Sequence, residues 1–448
     1  MVNRLQQSTR LLILLLLCHG CRPHPPTATE QQCQAFLKQK DFFRLRDLIA
    51  AGDEDISPEN KRYYQAYTDN AFNRNQASDS AINRLFDEYR NIADSLRSRL
   101  LLLKEDNDFK LGQYALAAQA NKLLLTDYRT QLDSPDLDDV RNRALIENGL
   151  AGITPQQTVF PDDTANTTIP WQRDKLGLIE IPVHMRDTSV FSIFDTRANI
   201  SSIMESDAKR LGVRLLGAKY REGSGITGNT FQVALGVADS LRFGDILVRN
   251  VVFQVMPDSI LYIAPFDFRL HVILGYPVIA QLREVHILRS GSLIIPSHPS
   301  DRPRPVGLSA SPTSTTSPLH NLAMSGLDPI LNATINQDTL LFDFDTGAST
   351  SIFYDNYYRR FEREVRQDGR SDSVSSFGAG GIARQKVYIL KEVRMKVGSQ
   401  TAILKKVTVN SDPIPNTKKL TYGNLGQDLM ALYGETILNF ESMYIDFK

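Results

Sequence analysis

The sequence predicts a multidomain chain with α and β parts in series: an all-α segment first, then two copies of one β module. Three observations carry this reading. Between about residues 29 and 150, Gly and Pro are sparse and apolar residues recur at steps of three and four, the period of a helix with one buried face. Beyond Pro155 the texture changes to short alternating runs rich in β-branched residues, the period of half-buried strands. Those runs fall into two segments, on either side of a Pro/Ser/Thr/Arg-rich break, that repeat the same landmarks in the same order. A length of 448 residues accommodates such a series, and 42% hydrophobic with 23% charged residues exclude a wholly disordered or polytopic membrane chain. The 51 Lys and Arg residues balance 51 Asp and Glu residues, so no global basic field draws the chain to nucleic acid.

The first element is an address. Arg4 and Arg10 precede an apolar run, 11–17, that is too short to span a bilayer as a helix, the layout of an export signal over residues 1–20. Small Gly20 stands directly before Cys21. The string resembles the lipobox of bacterial lipoproteins, although Cys18 and His19 depart from its small-residue pattern. The resemblance implies that Cys21 is the lipidated first residue of a mature chain, exported and anchored to a membrane on its periplasmic or cell-surface face. Residues 21–28, with three prolines, read as a stiff tether. Cys18, Cys21 and Cys33 are the only cysteines, which excludes a disulfide framework or a cysteine-rich zinc module further along.

Residues 29–150 read as helical. Ile82, Leu85, Phe86, Tyr89, Ile92 and Leu96 form one apolar stripe, and Tyr114, Ala117, Ala118, Leu124 and Tyr128 a second. Helix starts are predicted at Ser57-Pro58 and Ser134-Pro135, where proline sits in a first turn and its missing N–H costs nothing. The two stripes look like the second helices of tetratricopeptide-type hairpins, although Tyr89 and Tyr128 lie 39 residues apart rather than about 34. An irregular helical bundle fits as well. Either arrangement offers a surface for a protein partner and contains no catalytic constellation.

Residues 151–170, with Pro155, Pro161 and Pro170 around a Thr/Asn/Asp-rich stretch, read as a linker. The first β copy then covers 171–297, with strands expected at 178–183, 248–255 and 292–295; a second linker covers 298–318 and the second copy 319–448. Copy one runs an apolar strand into Phe194-Asp195-Thr196, then a glycine cluster near Gly225, then Ile273-Leu274-Gly275. Copy two runs 340–344 into Asp345-Thr346-Gly347-Ala348-Ser349, then a cluster from Gly378 to Gly381, then Asn424-Leu425-Gly426. Gly275 follows Asp195 by 80 residues and Gly426 follows Asp345 by 81, which marks an internal duplication.

One aspartate per copy has a chemical use. Attack of water on a peptide carbonyl needs one group to take a proton and another to give one. Two carboxylates about 3 Å apart supply both, because like charges that close cannot both ionise and the pair shares a proton. A pseudo-two-fold axis would bring one Asp from each copy to such a site. Thr196 and Thr346 offer hydroxyls that can bond across the axis, and Gly347 lets backbone approach the carboxylates without a Cβ in the way. The string 345–349 after an apolar strand, with a later apolar-apolar-Gly, resembles the retropepsin-like and pepsin-like aspartic proteases over roughly residues 171–448. The resemblance implies two tandem, mostly antiparallel β-barrel lobes of the small retropepsin size with a peptide cleft between them. It also implies flap hairpins at Gly225 and Gly228 and at Gly380 and Gly381, and Asp195 and Asp345 as the catalytic pair. Backbone groups at Gly347 and Ser349 would orient the carboxylates, and no metal or organic cofactor would be needed.

Lobe one departs from this pattern, with Arg197 where the glycine belongs and Asn199 in place of serine. Arginine brings bulk and a permanent positive charge that favours ionised Asp195 over a shared proton. The expected function is an aspartic endopeptidase acting on polypeptides, with Arg197 turned out of the cleft. The alternatives are an impaired pseudoprotease that holds extended peptides by strand pairing, or a scaffold that acts through its helical segment. Other strings carry less. Gly223 to Gly228 fits GxGxxG but leads into a strand-like run rather than a helix. Asp343 reads as a surface position, with a carboxylate behind Asp345 as the alternative. The histidines show no metal spacing, and His184 and His271, in apolar strand context, read as hydrogen-bonded structural residues.

Overall fold

The computed structural model describes residues 26–448 apart from 53–54, 90, 162–164, 224–227, 301–321, 379, 399 and 414–419. The export signal, Cys21, most of the tether, Gly225 and most of the second linker lie outside the described residues. Helices at Ala28–Lys38, Phe42–Ala51, Pro58–Ala71, Asn75–Glu88, Asp94–Lys110, Tyr114–Thr126 and Ser134–Leu150 form the N-terminal segment. Local chemistry sets their starts. Thr27 and Glu30 form a reciprocal capping box, and Ser57 accepts from the Asn60 N–H with Pro58 in the first turn. The last helix is capped one residue earlier than the sequence suggests: Asp133 accepts from the Asp136 N–H, and Ser134 is already helical. The first apolar stripe also divides, because its helix ends at Glu88 and the next begins at Asp94, so Leu96 belongs to another helix. No helix among the described residues is long and apolar enough to cross a membrane.

Two β-rich regions follow, each built on an eight- or nine-stranded sheet that rolls back on itself. In lobe one, Thr230–Phe243 pairs along Ile246–Met256 and also meets the far end of the sheet where Arg242 opposes His184. In lobe two, Gly381–Val397 pairs along Gln400–Asn410 and meets Asp328–Ile335 where Lys396 opposes Thr334. Most pairings are antiparallel. The parallel ones recur at equivalent places: Val272–Leu274 beside Thr188–Phe194 and Gly423–Leu425 beside Asp338–Phe344. Alternation sets the inward faces, as in Ile179–Met185, whose Ile179, Ile181, Val183 and Met185 are all buried. Full burial of large side chains such as Phe194 and Phe344 contributes roughly 1.5–3 kcal/mol each.

The stretch read as the first linker contributes strands to the lobe-one sheet and to a separate five-stranded sheet. Gln157–Val159 adds an edge strand beside Ile246–Met256, and Thr167–Pro170 pairs with Ser292–Ile295. The latter belongs to a five-stranded sheet whose central pairing joins the lobes: Glu284–Leu288 of lobe one runs antiparallel to Glu435–Asn439 of lobe two. Main-chain hydrogen bonds therefore tie the two lobes together. The helical segment packs along both, with Asn142 Nδ2 bonded to the Arg221 carbonyl of lobe one at 2.8 Å and Lys40 Nζ to Ser325 Oγ of lobe two at 2.9 Å.

Candidate active site

The same loop is built twice. Asp195 follows its strand, and its N–H donates to the Leu274 carbonyl on the parallel neighbour at 3.0 Å; the Asp345 N–H donates to Leu425 at 3.0 Å. The glycine after each neighbour strand donates to a serine hydroxyl, Gly275 to Ser201 and Gly426 to Ser351, both at 3.0 Å. These paired contacts give both loops one shape, as a duplication requires.

The loops meet through their threonines. The Thr196 N–H donates to Thr346 Oγ1 at 3.0 Å and the Thr346 N–H to Thr196 Oγ1 at 3.1 Å. Each hydroxyl then donates to the opposite strand end, Thr346 to the Phe194 carbonyl at 2.6 Å and Thr196 to Phe344 at 3.2 Å. Both side chains are fully buried, so these polar groups have exchanged water for each other, and losing one partner would strand the rest. The carboxylates are held by the same loops. Asp195 Oδ1 accepts from the N–H groups of Arg197 at 2.8 Å and Ala198 at 3.1 Å. Asp345 Oδ1 accepts from the Gly347 N–H at 2.8 Å, and its Oδ2 from Asn424 Nδ2 at 2.8 Å. Gly347 touches both acids: while donating to Asp345, its Cα lies so close to Asp195 that an added Cβ would overlap that carboxyl group.

This proximity shapes the ionisation. Burial, and next the neighbouring Asp345 charge, push Asp195 up to about 7. Burial raises Asp345 as well, but the Arg197 guanidinium, the Asn424 amide and the Gly347 N–H pull the other way. One proton shared by the pair is the state such an arrangement favours near neutral pH.

The Arg197 side chain is largely buried and makes no ion pair with Asp195 or Asp345 among the described residues. Its guanidinium crosses to lobe two, with Nη1 at 3.4 Å from Asp343 Oδ2 and Nε at 3.5 Å from Asp328 Oδ1. Its side chain is 16% exposed and that of Asp343 5%. Tyr354 donates its hydroxyl to Asp343 Oδ2 at 3.0 Å. Asp343 is thus a buried counter-ion rather than a surface residue; after burial the arginine charge is the largest influence on Asp345, whereas on Asp195 it ranks behind the Asp345 charge and a backbone N–H.

Of the two backbone groups expected to orient the carboxylates, the Gly347 N–H does so, whereas no hydrogen bond from Ser349 to Asp345 occurs among the described residues; the loop serines that bond are Ser201 and Ser351. The lobe-two hairpin, Gly369–Gly378 with Gly381–Val397, turns through Gly380 and Gly381 at φ 89° and 115°. Its tip reaches lobe one, where the Gly380 N–H donates to the Ile260 carbonyl at 3.0 Å and Phe377 packs edge-on against Phe266. The lobe-one hairpin pairs Arg214–Gly223 with Thr230–Phe243, and Gly228 has φ 69°. His184 is exposed, whereas His271 Nδ1 lies 2.6 Å from Asp207 Oδ2.

Sequence reading missed Asn424, Asp328, Tyr354 and Gln427. Gln427 Nε2 donates to the Thr346 carbonyl while its Oε1 accepts from Arg173 of lobe one, both at 2.6 Å. The signal for Asn424 was present, because it replaces the apolar Ile273 of the other copy. Aligning the copies strand by strand would have set Asp328 against Leu178 and Tyr354 against Met204.

A sequence model of a family described as aspartyl protease matches residues 181–278, which contain Asp195, Thr196, Arg197 and Gly275. No curated protein matches the chain. The match and the geometry around Asp195 together support an aspartic protease-like domain in this chain.

Proposed function

We propose that the protein is an aspartic endopeptidase whose two lobes each supply one member of a catalytic carboxylate pair. The observation that carries this reading is the reciprocal Thr196–Thr346 bonding, which brings Asp195 and Asp345 onto opposite sides of one glycine. A water held by the two carboxylates would add to a peptide carbonyl carbon. One carboxylate takes a proton from the water, the other gives its proton to the carbonyl oxygen, and the tetrahedral diol then breaks to the carboxylic acid and free amine. The two flap-like hairpins and the sheet edges beside them suit an extended peptide held by strand pairing. The ion pairing of Arg197 supports activity over a disabled site, since its charge is compensated by lobe two.

The test is incubation of the purified chain with a denatured polypeptide across a range of pH. Cleavage that is lost in both Asp195→Asn and Asp345→Asn is the expected result; peptide binding without cleavage would leave the binding-module reading. We also propose export and anchoring through lipidated Cys21, which the apolar run ending before Gly20-Cys21 supports. Membrane fractionation of the intact precursor and its Cys21→Ser variant tests it, with the variant expected in the soluble fraction.

A further inference from the structure

We propose that the carboxylate pair is polarised before substrate arrives, with Asp345 the resident anion and Asp195 the resident acid, and that Arg197 and Asn424 are the positioning residues that impose this. The inference rests on reading Asp195 and Asp345 as one catalytic pair.

Equivalent positions in the two copies are not chemically alike. Four places behind the loops differ together. In lobe one they are Leu178, Ile193, Met204 and Ile273, all in one buried apolar cluster. In lobe two they are Asp328, Asp343, Tyr354 and Asn424. The first three hold the Arg197 guanidinium through Asp328 and Asp343, with the Tyr354 hydroxyl on Asp343. The fourth donates its side-chain amide to Asp345 Oδ2 at 2.8 Å. Among the described residues no side chain donates to Asp195: Ile273 stands where Asn424 does, the two hydrogen bonds to Asp195 come from the Arg197 and Ala198 N–H groups, and Gly347 lies against its carboxyl group.

The charges that face each acid are therefore unequal. Asp345 meets the Arg197 cation, the Asn424 amide, the Gly347 N–H, the Asp343 carboxylate and Asp195 itself. Of these, the guanidinium outweighs the Asp343 carboxylate behind it. Asp195 meets Asp345, two backbone N–H groups and the Arg197 cation, which ranks behind the Asp345 charge and the Arg197 N–H. A negative charge is better accommodated on Asp345, and a single shared proton then resides on Asp195. In the addition step Asp345 takes a proton from water as the water oxygen bonds to the carbonyl carbon. The carbonyl π pair moves to its oxygen, which receives the Asp195 proton; Asp345 ends as the acid and Asp195 as the anion.

The test is a carboxyl-carbon NMR titration of the full chain labelled at aspartate side chains, with Asp195→Asn and Asp345→Asn assigning the two resonances. The expected result is one dominant step for each, with that of Asp345 at the lower pH. Two steps of comparable amplitude on both resonances, or the reverse order, would overturn the proposal. Asn424→Ile, which copies lobe one, is expected to move the Asp345 step up by roughly one pH unit while the fold is kept. No movement removes Asn424 from the argument; if that variant does not fold, Asn424→Ser serves in its place. The titration does not depend on turnover. A polarised pair in a protein that cleaves no polypeptide would retain this inference and defeat the hydrolytic reading, and cleavage with a symmetric titration would do the opposite.

Discussion

At four equivalent places behind the loops lobe one has Leu178, Ile193, Met204 and Ile273, whereas lobe two has Asp328, Asp343, Tyr354 and Asn424. The backbone of the two loops is nevertheless the same, down to the serine that receives each late glycine. What differs is a correlated set of side chains, and the difference teaches how a duplicated site can carry an arginine at a motif glycine. A poorly exposed cation is costly unless paired, and here the partners come from the opposite copy. The substitution that looks like decay when read along lobe one is one half of an arrangement completed by lobe two.

The hairpins differ in the same way. The lobe-one hairpin is gripped by the helical segment, where the Asn142 side chain donates to the Arg221 carbonyl at 2.8 Å and accepts from its N–H at 2.9 Å. Side chains of the last helix, Ile146 and Leu150, join the lobe-one apolar cluster. The lobe-two hairpin is held at its tip by lobe one.

The sharpest way to break the comparison is at the acids. Asp195→Asn and Asp345→Asn are each expected to lower the rate of polypeptide cleavage by about 10³-fold or more, with unchanged thermal unfolding, because neither carboxylate can take over both proton transfers. Under the proposed assignment the unmodified protein should lose activity as pH rises through about 7, where Asp195 gives up its proton. Next come the equivalent positions 197 and 347. Gly347→Ala is expected to cost about 100-fold in rate by displacing Asp195, since small misplacements of reacting groups have effects of that size. Arg197→Gly should retain cleavage, with the acid limb of its pH profile moved to higher pH because Asp345 loses a cation.

Stability sharpens the same contrast. Removing Arg197 alone leaves Asp343 buried without its counter-ion and is expected to cost about 3 kcal/mol in denaturant unfolding. Arg197→Gly with Asp343→Ile, which restores the lobe-one pattern, should recover most of that loss, and additive effects would refute the coupling. A smaller effect is expected at the seam between the lobes. His286 lies 2.6 Å from both Glu284 and Glu435. Burial opposes its charge, but the two carboxylates prevail and raise its pKa above the usual histidine value. Its stabilising contribution is therefore complete below about pH 6.5 and is lost as pH rises through the folded value. Melting temperature should fall over that window, and His286→Gln should flatten the slope. Smallest of all, Asn142→Ala is expected to speed amide exchange in 214–223 with little change in global unfolding.

Helices, strands and the duplication were legible in the sequence because they depend on periodicity and local chemistry: apolar spacing, Ser57-Pro58, the runs at 178–183 and 292–295, and the equal spacing of three landmarks. The threonine pair was legible too, since a hydroxyl beside each Asp has few other uses at a pseudo-two-fold axis. Strands at 157–159 and 167–170 were not, because their partners lie about 90 and 125 residues away and a proline-rich stretch of sequence records no pairing.

The sequence by itself determined that two equivalent Asp-Thr loops exist and that one carries an arginine. Only the tertiary structure decided what the arginine does, because its counter-ions Asp328 and Asp343 stand more than a hundred residues away in the other copy. The same holds for Asn424, which in the chain is an imperfect match to Ile273 and in space is the donor to Asp345. Charge acts across whatever distance the fold leaves between groups, and that distance is set by packing rather than by position along the chain.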